Sequence, residues 1–140
     1  MTLTGIETPM DVVEEEREEP SLGQQLLAWA RASSPVDVAA VQALVDEERI
    51  LARDDFRRAL VVDTGGVLGC DWEGLSGRRY VLPLDTGERA FVDLVLSLAG
   101  PCQVNLARTL MELDDRRIAI LLRAMALRAG SDRIAIGTYA

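Results

Sequence analysis

Residues 89–130, RAFVDLVLSLAGPCQVNLARTLMELDDRRIAILLRAMALRAG, form the longest apolar, helix-patterned block of the chain. Apolar residues recur there three and four positions apart, the spacing that gathers them on one helix face. Phe91, Leu94, Val95 and Leu98 make the first stripe. It is opened by Asp85 and Glu88 at capping-box spacing and stopped by Gly100-Pro101, a left-handed cap before a residue that cannot continue the helix. A second helix is expected over about Cys102 to Leu113, with Val104, Leu106, Leu110 and Leu113 inward. Asp114-Asp115 has the chemistry to cap a third, in which Ile118, Leu121, Leu122 and Met125 share a face. Ile120, Ala124 and Leu127 widen that face, so this helix is expected to be covered on two sides. Gly130 ends it. The three helices are expected to build an apolar C-terminal core.

Working back toward the N-terminus, Ser21 and Gln24 form a capping box that opens a helix carrying Leu22, Leu26, Trp29 and Ala30. Ser34 caps the next, with Pro35 at its first position and Asp37 in its first turn. Its stripe is Val38, Val41, Leu44 and Val45, and Glu47 and Glu48 are expected to face water. Ile50 and Leu51 tuck inward. Asp54 then starts a short helix bearing Phe56, Ala59 and Leu60, which completes an N-terminal helical hairpin.

Between these blocks the pattern changes. VLGCDW and RRYVLPL flank the turn-like EGLSG, which predicts a central β-hairpin over Val67–Trp72 and Arg79–Leu84, with Trp72 and Tyr80 packed across it. Arg133–Tyr139 alternates and is expected to add a third, C-terminal strand. The fold expected is α+β and mainly helical, a single domain over residues 21–140 behind a flexible acidic arm, residues 1–20.

That arm concentrates the charge. The chain is 140 residues long with a net charge of −8. Glu7, Asp11, Glu14, Glu15, Glu16, Glu18 and Glu19 stand against Arg17, which places −6 in the first twenty residues and −2 in the rest. A nucleic-acid mimic needs its charge spread over a folded surface, and a nucleic-acid binder needs a basic stripe. Neither is present, and no nucleic-acid partner is expected. No apolar run approaches the ~18–20 residues of a membrane span. MTLTGIETPMDVVEEE has no secretory pattern, so a cytoplasmic location, or the inside of a virion, is expected.

Residue types restrict the chemistry further. The chain has no histidine, and all fifteen basic residues are arginine. A composition rich in Ala, Leu, Val, Gly and Arg, with Asn105 as the single asparagine, points to a GC-rich source of actinobacterial or phage type. The usual general bases, Schiff-base lysines and histidine metal ligands are therefore missing. Cys70 and Cys102 lack metal-ligand spacing and are expected to be reduced and buried. No metal and no cofactor is expected.

Two short motifs nevertheless carry carboxylates. Asp63-Thr64-Gly65 and Asp85-Thr86-Gly87 resemble the active-site triplet of aspartic proteases, a family almost wholly β, whereas at least half of this chain reads as helix. ALVVDTGGVLG resembles the nucleophile loop of haloacid-dehalogenase-type phosphatases, which implies Asp63 as the attacking group. In that family the motif opens the first strand of a larger α/β fold and is followed by a lysine. Here about sixty residues precede it, the lysine is absent, and Gly65 replaces the second acid. If the helix from Asp54 runs to Val62, Asp63–Gly66 is its C-terminal turn. Asp63, Asp71, Glu73 and Asp85 match no converging metal loop.

The expected function is therefore that of a non-catalytic interaction or assembly protein: an adaptor or chaperone-like protein, an immunity protein, or a phage structural or assembly component. Its candidate contacts are Ile118, Leu121, Leu122, Met125 and Leu127, and second the acidic residues Glu14, Glu15, Glu16, Glu18 and Glu19. The expected partner is another protein, or a second copy in a homodimer. The competing expectation is a small hydrolase or phosphate-binding protein using Asp63, with Asp85.

Overall fold

Seven helices and one β-hairpin follow one another in the computed structural model, which describes residues 19–139. The fold is mainly helical α+β. Among the described residues no helix is long and apolar enough to cross a membrane.

The helical hairpin forms where the capping residues place it. In α1 (Leu22–Ser33) the Ser21 hydroxyl accepts from the Gln24 amide at 3.1 Å, and the Gln24 side chain accepts from Ser21 N at 2.8 Å. These reciprocal bonds satisfy two amides that a helix start leaves orphaned. Ser34 ends α1 and caps α2 (Pro35–Glu47), with Pro35 supplying a helical φ at a position whose missing N–H costs nothing. Gly23 of α1 sits against Val45 of α2, so the two run antiparallel.

The hub of the fold is α2, which packs on α1, α5 and α7, the last two defined below. Ala39, Ala40, Val41, Ala43 and Leu44 are fully buried, and their small size brings three neighbours close. The C-terminal block therefore shares the core rather than supplying it alone. Glu47 is fully buried as well, where water was expected; Glu48, with φ 74°, is exposed. Ile50 and Leu51 turn inward, and α3 (Asp54–Leu60) buries Phe56, Ala59 and Leu60. Asp54 and Asp55 sit in its first turn, and neither caps it: Arg53 is the cap residue and makes no side-chain cap bond.

The β-hairpin lies earlier than its apolar runs suggest. Its strands are β1 (Val61–Thr64) and β2 (Val67–Cys70), antiparallel, with Val61 opposite Cys70 and Thr64 opposite Val67. The helix from Asp54 stops at Leu60 because Gly65 and Gly66 both hold positive φ, 62° and 90°, the two-residue turn whose twist matches that of paired strands. Asp63 Oδ1 accepts from Gly66 N at 2.8 Å and braces the turn. On β2, Gly69 lies directly under the Trp29 indole of α1.

Val67–Trp72 and Arg79–Leu84 therefore do not pair. Asp71 caps α4 (Trp72–Arg78) by accepting from Gly74 N at 3.0 Å, and Trp72 and Leu75 bury one face of it. Tertiary burial overrides the poor helix propensity of its two glycines. Trp72 donates its indole N–H to Asp37 Oδ1 at 2.8 Å, while Tyr80 is 68 % exposed, so the two rings do not pack together across strands. Residues 79–85 remain irregular because arginines, not a strand, take their carbonyls. Arg89 donates to the carbonyls of Arg79, Leu82 and Leu84, and Arg53 donates to that of Pro83.

α5 (Thr86–Ala99) follows the Asp85 capping box, buries Phe91, Val92, Leu94, Val95 and Leu96, and ends at Gly100 with φ 119°. The expected helix over Cys102–Leu113 shrinks to α6 (Leu106–Leu110), which buries nothing; Leu106 is 47 % and Leu110 38 % exposed. Its period is helical, yet only its edge meets α5. α7 (Asp115–Arg128) starts at Asp114, whose side chain accepts from Arg117 N at 2.9 Å. Residues 131–139 contain no strand. They run back along α7 and pair with neither strand of the hairpin, so their alternation meets no sheet edge.

Candidate functional site

α7 is a two-sided helix. Ala119, Ile120, Leu121 and Ala124 face the core, against α2 and α5. Leu121 is 1 % exposed and is thereby removed from the candidate contacts. Ile118 and Met125 are half-buried, and Leu122 and Leu127 are 42 % and 41 % exposed. The tail completes this outer face. Arg123 Nη1 donates to the Ile136 carbonyl at 3.0 Å, which ties the tail down at its middle.

Two hollows result. One, of about 460 Å³, lies between Gln42 and Asp46 of α2, Arg123 and Leu127 of α7, and Ile134–Ile136 of the tail. The other, of about 300 Å³, lies between Ile118, Leu122 and residues 136–139. Ile134 is 59 % exposed at the edge of the first, and Tyr139 is fully exposed at the edge of the second. The tail side chains were read as a strand in the sequence, so their place in this face went unseen. Their apolar alternation was the available signal.

An ion cluster on the buried Glu47 carboxylate ties α7 to α2. Glu47 Oε2 accepts from Arg117 Nε and Nη2 at 3.2 and 3.1 Å and lies 3.6 Å from Arg116 Nη1. Its Oε1 accepts from Ile50 N at 2.8 Å. Arg116 Nη2 donates to the carbonyls of Asp46 and Glu47, at 3.2 and 2.7 Å. A charged group in the interior requires this degree of pairing. The cluster joins the C-terminal turn of α2 to the N-terminal turn of α7.

A third, polar hollow of about 310 Å³ opens between residues 79–80, α5 and α6, lined by Arg79, Asp93, Asn105, Arg108 and Glu112 among others. Arg79 Nε and Asp93 Oδ1 form an ion pair at 3.3 Å whose alignment misses hydrogen-bond geometry. Burial pushes the Asp93 carboxyl above its ordinary range, against the opposing pull of Arg79 and Arg89. Arg79 is otherwise occupied: Nη1 donates to Ser76 Oγ and Cys102 Sγ, and Nη2 donates to Tyr80 Oη. Cys70 and Cys102 are free and buried, and burial pushes the Cys70 thiol far up, which keeps it protonated.

The alternative carboxylates sit at local structural posts. Asp63 is exposed in the turn, bonded to Gly66 N; Asp85 is exposed and accepts from Glu88 N at 2.7 Å. Among the described residues no three acidic or thiol side chains gather closely enough to hold a metal ion. Glu19 is exposed, and Glu14, Glu15, Glu16 and Glu18 lie outside the described residues. No protein-family model, no curated protein and no solved structure matches the chain.

Proposed function

We propose that the chain is a non-catalytic interaction or assembly protein that docks a protein partner on the face made by α7 and the C-terminal tail. The observation that carries this reading is the set of large apolar side chains left exposed there, Leu122, Leu127 and Ile134, at 42, 41 and 59 %, beside two hollows. Apolar side chains at the centre and arginines at the edge are the usual anatomy of an interface. Arg116, Arg123 and Arg128 supply that edge. The Glu47 cluster sets the position of α7 beforehand, which lowers the ordering cost of association.

The test uses the tagged full chain expressed in its native host. A partner is recovered with the native chain and with Asp63→Asn, and is lost with Leu122→Asp and Leu127→Asp, while circular dichroism and melting temperature stay unchanged. Recovery of the same protein with both leucine variants overturns the proposal. Loss with Asp63→Asn alone moves the contact to the hairpin turn and overturns the proposal. The recovered protein's identity assigns the chain among adaptor, immunity and assembly roles. Self-association abolished by Leu122→Asp, read by light scattering, makes the partner a second copy.

A further inference from the structure

We propose that the polar hollow beside α6 binds a free α-amino acid, with Asp93 and Glu112 taking its ammonium and Arg108 its carboxylate. The site is separate from the α7 docking face and adds a small-molecule ligand to the function proposed above.

Unmet bonding is the first observation. Asp93 lines the hollow from α5, and its Oδ1 is buried without a hydrogen-bond donor. The neighbouring cations do not supply one. Arg79 Nε lies 3.3 Å away but out of hydrogen-bond geometry, and its Nη1 and Nη2 are spent on Ser76, Cys102 and Tyr80. Arg89 gives its guanidinium to the carbonyls of Arg79, Leu82 and Leu84. Buried carboxylate oxygens are ordinarily bonded, so this one marks the place of a missing donor. Burial, and then the charge of Glu112, push the Asp93 carboxyl up against the pull of Arg79 and Arg89. The two acids therefore sense one another at the hollow, and an ammonium placed between them relieves both.

The balance of charge is the second observation. Arg79, Arg108, Asp93 and Glu112 line the hollow and sum to zero. Glu112 follows α6 in a turn closed by its own N–H on the Thr109 carbonyl at 3.1 Å. Arg108 and Glu112 are exposed and four residues apart, a spacing at which opposite charges ordinarily pair. Among the described residues neither side chain forms an ion pair. A lone anion on Arg108 meets Asp93 and Glu112, and a lone cation leaves Arg108 without a partner. A small molecule carrying both signs satisfies all three.

Size and amide chemistry agree. Ligand pockets run from ~300 to ~1,000 Å³, and about 310 Å³ suits one amino acid rather than a nucleotide. Asn105 Oδ1 accepts from Arg108 N at 3.2 Å, which leaves its amide N–H groups to join Arg108 on the carboxylate.

The experiment is an NMR titration of the full chain in low-salt buffer with each of the common free α-amino acids. Ethylammonium chloride and sodium acetate serve as single-charge controls. The expected result is saturable amide shifts at residues 79–80, 93 and 103–112 with at least one amino acid, and no saturation over the same range with either control. Glu112→Gln and Arg108→Gln, at exposed positions that leave the fold intact, each weaken binding roughly tenfold or more, since bonds to charged groups are the strong ones. Leu122→Asp leaves binding unchanged. Absence of saturation with every amino acid, shifts confined to α7, or equal affinity in both variants overturns the proposal. Ethylammonium or acetate binding as tightly as the best amino acid does the same, because one charge then suffices. Each of these negative results leaves partner capture through Leu122 intact, so the two readings fail separately.

Discussion

Glu47→Ala removes the one carboxylate that joins α2 to α7, and its cost follows from what the substitution strands. Arg117, with an 11 % exposed side chain, loses both bonds to Oε2, and the Ile50 amide loses its acceptor. Breaking one side of a buried pair costs about 3–5 kcal/mol because the remaining charge stays desolvated. An orphaned amide costs about 1–3 kcal/mol, partly the same energy, since both partners relax together. Against a domain stability of about 5–15 kcal/mol, a loss of about 4 kcal/mol is large. With m of about 2 kcal/mol/M in urea, the midpoint falls by roughly 2 M. Glu47→Gln keeps the Oε1 acceptor for Ile50 and loses less. Arg117→Met leaves Glu47 with only Arg116, 3.6 Å away, as counter-charge and costs nearly as much as Glu47→Ala, whereas Glu47→Ala with Arg117→Met costs less than the sum of the single changes. Equilibrium urea unfolding of all four variants reads the coupling. A midpoint shift under about 0.5 M for Glu47→Ala, or strict additivity in the cycle, refutes the reasoning.

Three further perturbations report on other parts of the fold. Gly69→Ala places a Cβ 2.6 Å from Trp29 Nε1, and overpacking of this kind costs about 1–3 kcal/mol, roughly 4–10 °C in Tm at this length; an unchanged melting curve contradicts the hairpin's placement on α1. Trp72→Phe strands Asp37 Oδ1 at a cost of about 1.5–3 kcal/mol, and a loss no greater for Trp72→Phe than for the exposed Tyr80→Phe contradicts the bond. Asp93 has a folded-state pKa raised by burial, so its contribution to stability is full below the ordinary carboxylate range and is lost as pH rises through the raised value. Asp93→Asn therefore gains on the native chain between pH 4 and pH 7, read by urea midpoints at each pH, and a gap that narrows with rising pH contradicts the assignment.

The helix starts were legible because a cap is a local signal. Ser21, Ser34, Asp85 and Asp114 each bond an amide three residues ahead, within reach of any reading of the sequence. Glu47 was not legible, since its partner Arg117 lies seventy residues away and an acid near a helix end ordinarily faces water. The hairpin carried its own mark in Gly65-Gly66, outweighed by the apolar runs on either side of EGLSG. Residues 79–84 alternate like a strand, and only the position of Arg89 shows why they pair with nothing. Of the candidate face, Leu122 and Leu127 were visible as apolar excess on α7. Leu121 was assigned to the wrong side of the helix, because spacing alone does not say which of two faces meets α2.

The docking face is tested most directly by placing a photo-cross-linking amino acid at Leu122, at Leu127 and, as control, at Val62 on the hairpin, each in the full chain in its native host. The account predicts one defined protein product from positions 122 and 127, absent at 62. The same product from all three positions, or a defined product from Val62 and none from α7, contradicts it.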